Sequence, residues 1–246
     1  MIDSLRLQQF RSYKDESFEF EPGVNIVVGP NASGKTNLLE AVLVLARGGS
    51  FKARDTELVQ FNKPWARLDG YFGQQNRTVK LQIKDDRVDK SFLLDEKPFK
   101  RLNLERTIPV VIFEPNHLQL ITRGPEQRRE YIDDLLERSL PGFKALAGNY
   151  RRTLAQRNAL LKYHPNQATR QLFAWDVRLS ELGGKIAEAR NQLIEQINKN
   201  LSRTYNQIAG SRGSAKLLYD CHFPANSYAS RMLSKLEATS ATDFER

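Results

Sequence analysis

Two different hydrophobic patterns divide the chain, a period of two in the first half and helical spacing in the second half. Apolar and polar residues alternate at 4–7 and 17–20, which predicts a pair of strands. Residues 66–101 alternate as well and predict antiparallel hairpins with one face in water. Continuous apolar runs at 24–28 and 108–113 predict two buried strands of the same sheet.

Helices are predicted where apolar residues recur every three or four positions. Residues 36–46 form an apolar run directly after a glycine-rich segment and predict one helix in the first half. From about Glu126 the helical spacing continues to Leu201, interrupted by a turn at 164–166, and predicts long antiparallel helices. Residues 217–223 regain strand character, and residues 229–237 predict a polar helix.

These patterns predict an α/β protein in three parts. Residues 1–125 form the N-terminal part of a head with a mixed sheet that contains antiparallel hairpins. Residues 126–205 form an antiparallel helical arm inserted into this head. Residues 206–246 return to the head without completing it.

A glycine-rich segment between the apolar run 24–28 and the helix 36–46 has the spacing of a phosphate-binding P-loop. Its members are Gly29, Pro30, Asn31, Ala32, Ser33, Gly34, Lys35 and Thr36. The glycines allow successive backbone N–H groups to point inward around a phosphate, and the positive end of the following helix adds to the attraction. We expect Lys35 to reach the β- and γ-phosphates and the Thr36 hydroxyl to bind Mg²⁺, which makes these two the candidate catalytic residues. The motif predicts a site for a nucleoside triphosphate with Mg²⁺, and ATP is the expected nucleotide.

Hydrolysis at such a site needs a Walker B motif, an aspartate at the end of an apolar strand followed by a glutamate that orients water. Two segments come near this pattern. The pair Asp95-Glu96 is better explained as a hairpin turn, because Lys-Pro follows it directly. The pair Asp133-Asp134 lies within a helical pattern. Neither provides a convincing Walker B motif.

The charge of the chain indicates a polyanionic partner. With 38 Lys and Arg against 29 Asp and Glu, the net charge is +9 and the pI is near 9.6. Residues 123–203 contain 15 basic and 9 acidic side chains, so about two thirds of the excess lies in about one third of the length. This distribution favours DNA binding by the helical arm, although a solvated helical face has a similar composition.

Other chemistries have little support in the sequence. Cys221 is the single cysteine, which argues against a disulfide framework and a cysteine-based zinc site and fits a reducing cytosol. His117, His164 and His222 are too dispersed to suggest metal ligands or an acid–base pair. The N-terminus lacks the layout of a signal peptide and no apolar run is long enough to cross a bilayer. We therefore expect a cytoplasmic protein without membrane contact.

Several segments taken together resemble the bacterial RecF family. They are the turn 10–13 with the letters Phe-Arg-Ser-Tyr, the P-loop with its Asn-Leu-Leu-Glu-Ala tail at 37–41, and Gly-Ser-Phe-Lys at 49–52. Further similarity at 113–118, 124–133 and 175–183 extends the resemblance over essentially the whole chain. The P-loop and its tail alone would indicate only an SMC-like or ABC-type ATPase.

The resemblance implies an SMC-like ATPase head with an inserted helical arm, in a protein that binds DNA and dimerises around ATP. It also implies a weak DNA-dependent ATPase in recombinational repair, with links to replication and the SOS response and with RecO and RecR as partners. By this likeness Arg11 contacts the nucleotide phosphates, whereas the local pattern shows only a lone arginine in a polar turn. Related ATPases often have a Mg²⁺-sensing glutamine near the position of Glu114, and none is present here.

The chain departs from the family in its last part, because it has neither an ABC signature nor a Walker B strand. We therefore expect a C-terminally truncated protein that binds ATP more weakly than the complete one and hydrolyses it poorly. The expected partner is single-stranded, duplex or gapped DNA. One alternative is a basic module that binds duplex or gapped DNA through Lys and Arg without responding to ATP. Another SMC-like ATPase fragment is the second alternative, which the short helical insert disfavours.

Overall fold

The computed structural model describes residues 1–85, 87–114, 117, 119–122, 124–163 and 165–243. They belong to two compact units, Met1–Phe113 and Glu114–Arg246. The predicted division into 1–125, 126–205 and 206–246 stays a prediction. The elements of the first unit are β1 (Ser4–Phe10), β2 (Tyr13–Glu19), α1 (Lys35–Arg47), α2 (Asp55–Leu58), β3 (Trp65–Phe72), β4 (Gln75–Lys84), β5 (Arg87–Leu94), β6 (Lys97–Phe99) and a 3₁₀ turn (Leu104–Arg106). Those of the second unit are α3 (Gln119–Thr122), α4 (Pro125–Ser139), α5 (Phe143–Tyr163), α6 (Pro165–Ala209), a 3₁₀ turn (Ala225–Ser227) and α7 (Tyr228–Asp243).

The first unit is a six-stranded antiparallel sheet in the order β2-β1-β3-β4-β5-β6. The predicted strand pair at the N-terminus, the hairpins between 66 and 101 and the helix after the P-loop are confirmed. Strand alternation directs one set of apolar side chains toward α1, and these residues form the core with it: Leu5, Leu7, Leu68, Val79, Leu81, Leu38, Ala41, Val44 and Leu45. Gly70 permits the close approach of α1 to β3, since a Cβ there would lie 2.1 Å from the Leu45 Cδ2.

The C-terminal end of α1 is fixed by a basic side chain from the sheet. Arg77, only 9% exposed, donates from Nη1 to the carbonyl oxygens of Leu45 and Ala46, both at 3.1 Å. Its Nη2 donates to the Arg106 carbonyl at 2.6 Å. The bonds to Leu45 and Ala46 satisfy carbonyl groups that a helix end leaves without intrahelical partners. The helix is therefore anchored at the end opposite to the P-loop.

The second unit is helical, as predicted from residue 126 onward. The antiparallel arrangement of α5 and α6 follows from the buried ion pair between Arg157 and Asp176 and from the approach of Tyr150 to Gly183. On the α4 side of α6, Arg190 binds the Asp133 carboxylate with two hydrogen bonds of 2.7 Å. The predicted polar helix at 229–237 is confirmed as part of α7. The turn residue His164 lies outside the described residues.

Two predicted strands of the first unit, 24–28 and 108–113, were wrong. No β-ladder among the described residues includes either segment. Their apolar side chains are exposed, with 88% for Val24, 82% for Val28, 88% for Val111 and 77% for Phe113. An apolar run has the propensity for a buried strand, but a strand forms only where a neighbour accepts its backbone hydrogen bonds.

The predicted strand at 217–223 was also wrong, and here the structure shows what holds the start of the segment instead. The side-chain amide of Asn198 on α6 exchanges two hydrogen bonds with the Leu217 backbone, at 2.8 and 2.9 Å. One helical turn further along, the Ser202 hydroxyl does the same with the Ala215 backbone, at 2.9 and 3.1 Å. The extended backbone is therefore hydrogen-bonded to side chains of a helix and not to a strand.

Candidate nucleotide-binding site

The P-loop connects the exposed segment 24–28 to α1 and curls through three residues with positive φ. Gly29 has φ of 156°, Ala32 of 66° and Gly34 of 95°. A Cβ at Gly29 would lie 2.8 Å from the Ser33 hydroxyl, so a larger residue would displace the loop. The two glycines are thus required by the backbone path, as the sequence motif predicts.

The Lys35 side chain folds back over this loop. Its Nζ donates to the carbonyl oxygens of Gly29 at 2.8 Å and Pro30 at 2.7 Å. An ammonium group has three donor hydrogens, so a third direction stays available for a phosphate oxygen. The positive charge is therefore held at the mouth of the loop by the loop itself.

The N-terminus of α1 is open to an anion. Its N-cap residue Gly34 provides no side-chain hydrogen bond to the first helical N–H groups, and no acidic residue lies in the first turn. Thr36 is exposed in this turn, where its hydroxyl is accessible to a cation. Backbone donors, a lysine and a hydroxyl at one helix start fit a triphosphate with Mg²⁺.

The turn between β1 and β2 packs directly against the last glycine of the loop. Tyr13 donates from its hydroxyl to the Gly34 carbonyl at 3.0 Å, and the Asn37 side chain donates to the Ser12 hydroxyl at 3.1 Å. A Cβ on Gly34 would lie 2.9 Å from both the Ser12 and the Tyr13 oxygen. Burial raises the pKa of the Tyr13 phenol further above neutral pH, and the protonated phenol is the form that donates to Gly34.

Arg11 of the same turn contacts a buried carboxylate of α1. Its Nε and Nη2 donate to the two carboxylate oxygens of Glu40 at 2.8 and 3.0 Å. The Ser50 hydroxyl makes a further hydrogen bond to Glu40. Burial by itself raises the pKa of Glu40, but the hydrogen bonds from Arg11 and Ser50 outweigh it and hold that pKa below its ordinary value.

A cavity of about 610 Å³ lies beside this turn and the start of α1. The lining residues nearest the P-loop in sequence are Ser12, Arg11 and Asn37. Its other wall is formed by α2, by the segment that follows it and by Ile83. The turn that packs on Gly34 therefore also lines a cavity, whose walls combine polar side chains with the apolar side chains of Val59, Phe61 and Ile83.

The two rejected Walker B candidates have structural roles. Asp95 and Glu96 form the turn between β5 and β6, with φ of 48° and 66°, and the Asp95 carboxylate accepts the Asn76 backbone N–H at 2.8 Å. Asp133 lies on α4 and pairs with Arg190. Among the described residues, no group of three or more His, Cys, Asp and Glu is placed to hold a metal ion. His117 accepts the Glu114 backbone N–H, and His222 accepts a hydrogen bond from Lys235.

No role was predicted for Glu40, Ser50 or Tyr13, although all three lie in the segments that carry the family resemblance, 37–41, 49–52 and 10–13. One signal was present, because Glu40 is a carboxylate within an otherwise apolar helix and lies four residues after Thr36. A charged residue at a core position requires a partner. The identity of that partner depends on the tertiary fold and could not be inferred from local spacing.

Comparison with known proteins agrees with the class that this geometry defines. The model of the AAA domain matches residues 4–218. Helix α1, the P-loop before it and the antiparallel sheet therefore form part of a P-loop ATPase domain. Within the described part of the chain, no helix combines the length and apolar character that a bilayer span requires.

The chain belongs to the RecF family. It is 32% identical over 250 residues to the DNA replication and repair protein RecF of Chlamydia abortus, covering 99% of this chain and 67% of that protein. The same protein of Tropheryma whipplei is 32% identical over 224 residues, covering 88% of this chain and 61% of the relative. The chain thus spans about three fifths to two thirds of the length of these relatives.

Two solved structures of RecF resemble the chain. Both are described as the recombination mediator protein RecF in the RecFOR pathway, one as RecF-ATPrS and one as RecF-ATP. The match to the first structure has a TM-score of 0.81 and 25% sequence identity. It covers 100% of this chain and 69% of the chain in the solved structure. The second has a TM-score of 0.77 with the same identity. The predicted family and fold class are confirmed by these matches.

Proposed function

We propose that this chain binds ATP with Mg²⁺ at the P-loop and serves DNA repair of the RecF type. The observation that carries the proposal is the position of Lys35, whose ammonium lies at the mouth of the curled loop and directly before an uncapped helix N-terminus. The likeness to a protein described as RecF-ATP supports ATP as the nucleotide.

Each P-loop group has a role in this proposal. The inward N–H groups of 29–34 hold the β-phosphate, Lys35 contacts the β- and γ-phosphates, and the Thr36 hydroxyl binds Mg²⁺. Arg11 adds a guanidinium at the edge of the site, and its contact with phosphate is part of the proposal. Bound Mg²⁺ would neutralise phosphate charge. We propose binding without efficient hydrolysis, because neither Asp95 nor Asp133 is placed as a Walker B carboxylate.

DNA is the proposed macromolecular partner. Exposed basic side chains lie along the helical unit, among them Arg129, Lys144, Arg151, Arg152, Lys185 and Lys199. Such residues attract the phosphate backbone without reading sequence. In this proposal ATP strengthens DNA binding and promotes a homodimer, and RecO and RecR are the proteins with which the complex acts.

The test is DNA binding by the wild type and Lys35→Ala with and without ATP·Mg²⁺, on single-stranded, duplex and gapped DNA. We expect ATP to strengthen DNA binding by the wild type and to have no effect on DNA binding by Lys35→Ala. Lys97→Ala is the matched control, because Lys97 is exposed on β6 and lies outside the P-loop. Equal binding by all three proteins with no response to ATP would instead support the ATP-independent DNA-binding module.

A further inference from the structure

A carboxylate with no exposed surface lies on the helix that begins at the P-loop. Glu40 is 0% exposed, and its position four residues after Thr36 places both residues on the same face of α1, one turn apart. Burying an ionised carboxylate is costly unless charged and hydrogen-bonding partners compensate. Arg11 and Ser50 supply this compensation, and we call the three residues the Glu40 cluster.

The Glu40 cluster joins α1 to two loops. Arg11 has φ of 53°, an uncommon conformation for a residue with a side chain, and its backbone N–H donates to the Leu58 carbonyl at 2.9 Å. The Ser50 hydroxyl accepts the backbone N–H groups of Lys52 and Ala53, both at 3.0 Å. Both the backbone and the side chain of Arg11 are therefore held, and backbone strain of this kind is concentrated at functional sites.

The contact with Glu40 determines the direction in which the guanidinium points. Nε and Nη2 face the carboxylate, whereas Nη1 makes no hydrogen bond within the described part of the chain. Arg11 also lines the cavity beside the start of α1. Because a guanidinium is planar and its two-point contact with a carboxylate fixes that plane, Nη1 is presented in a defined direction.

We propose that Glu40 is a positioning residue for nucleotide binding, which acts by holding Arg11 beside the P-loop with the support of Ser50. This inference rests on the proposed function, since it concerns the affinity of the same site for ATP·Mg²⁺. An oriented cation costs less conformational entropy on binding phosphate than a free arginine side chain does. Loss of the Glu40 carboxylate therefore lowers ATP affinity through Arg11, and not through the P-loop.

The test is calorimetric titration of ATP·Mg²⁺ into the full chain, with a double-mutant cycle on Arg11 and Glu40. We expect Glu40→Gln to weaken binding by about tenfold, the size expected for one charge-assisted hydrogen bond. Ser50→Ala keeps the ion pair and removes only one support of the Glu40 carboxylate, so it is expected to weaken binding by roughly threefold, less than Glu40→Gln. Glu19→Gln is the control, because Glu19 is an exposed carboxylate of β2. In an Arg11→Gln background, the further substitution Glu40→Gln is expected to leave the affinity unchanged.

Three outcomes contradict parts of this account and are distinguishable. Wild-type affinity in both Glu40→Gln and Ser50→Ala overturns the positioning role. An equal loss with and without Arg11 also overturns it, because Glu40 would then act on the fold of α1 alone. If the wild type and Lys35→Ala fail to differ in ATP binding, the proposed function fails, and this inference fails with it.

Discussion

Arg77 permits the most specific stability prediction, because it is a buried cation with three carbonyl partners. Arg77→Met keeps the length of the side chain and removes every hydrogen bond that it donates. Ala46 retains one partner, since its carbonyl also accepts the Ile108 N–H at 2.9 Å. The perturbation therefore falls mainly on the Leu45 and Arg106 carbonyls.

The magnitude follows from two opposing effects. Hydrogen bonds from a charged donor contribute about 1.5 kcal/mol or more each. Burying the cation is itself costly and lowers the pKa of Arg77 below its usual value, and Met avoids that cost. We expect a net loss of about 3 kcal/mol in the free energy of unfolding of the first unit.

Urea denaturation monitored by tryptophan fluorescence measures this loss. The two tryptophans divide between the units, Trp65 on β3 and Trp175 on α6, so a Trp175→Phe background reports on the first unit. With a urea dependence of about 1.5 kcal/mol per M, the midpoint should fall by roughly 2 M. Lys80→Met is the control, because Lys80 is exposed on the same strand and should change stability by less than about 0.5 kcal/mol. Equal midpoints for the two variants would refute the role of Arg77.

Three further predictions concern the P-loop, the helical unit and alkaline pH. Gly34→Ala should weaken ATP binding by more than about tenfold in calorimetry while the protein stays folded, because φ is 95° and the added Cβ meets Ser12 and Tyr13; unchanged affinity would contradict this. Arg157→Met leaves the Asp176 carboxylate buried and should destabilise the second unit by about 3 kcal/mol, measured by Trp175 fluorescence in urea; a shift below about 1 kcal/mol would argue against it. Burial raises the pKa of Tyr228 from 10.0 to about 12, so its contribution to stability is present below pH 10 and lost as the pH rises toward 12. Tyr228→Phe should reduce this alkaline loss in denaturation experiments, and an identical pH dependence would contradict the assignment.

Elements that depend on contiguous residues could be predicted from the sequence. The P-loop consists of eight adjacent residues. Helix α1 follows it directly, and the apolar residues of this segment predict the helix without information from the rest of the chain. The hairpins from β3 to β6 follow from alternation and from turn residues such as Asp95 and Glu96. In each case the information lies within the segment itself.

Features that depend on distant partners were not predictable in the same way. Arg11 and Glu40 are 29 positions apart, and nothing in the local pattern connects them. The apolar run at 24–28 has strand propensity, but pairing requires a neighbouring strand. At Leu217, the first residue of the predicted strand 217–223, the Asn198 side chain of α6 binds the backbone instead of a neighbouring strand. The partners of these segments are set by the tertiary fold and not by local propensity.

The most direct test of the central claim is calorimetric titration of ATP·Mg²⁺ into the wild type, Lys35→Ala and Lys97→Ala. The account predicts saturable binding to one site in the wild type and in Lys97→Ala. Lys35→Ala should lose at least about tenfold in affinity, because it lacks the ammonium held at the mouth of the loop. Equal affinity in all three proteins would contradict the assignment of the P-loop as the ATP site.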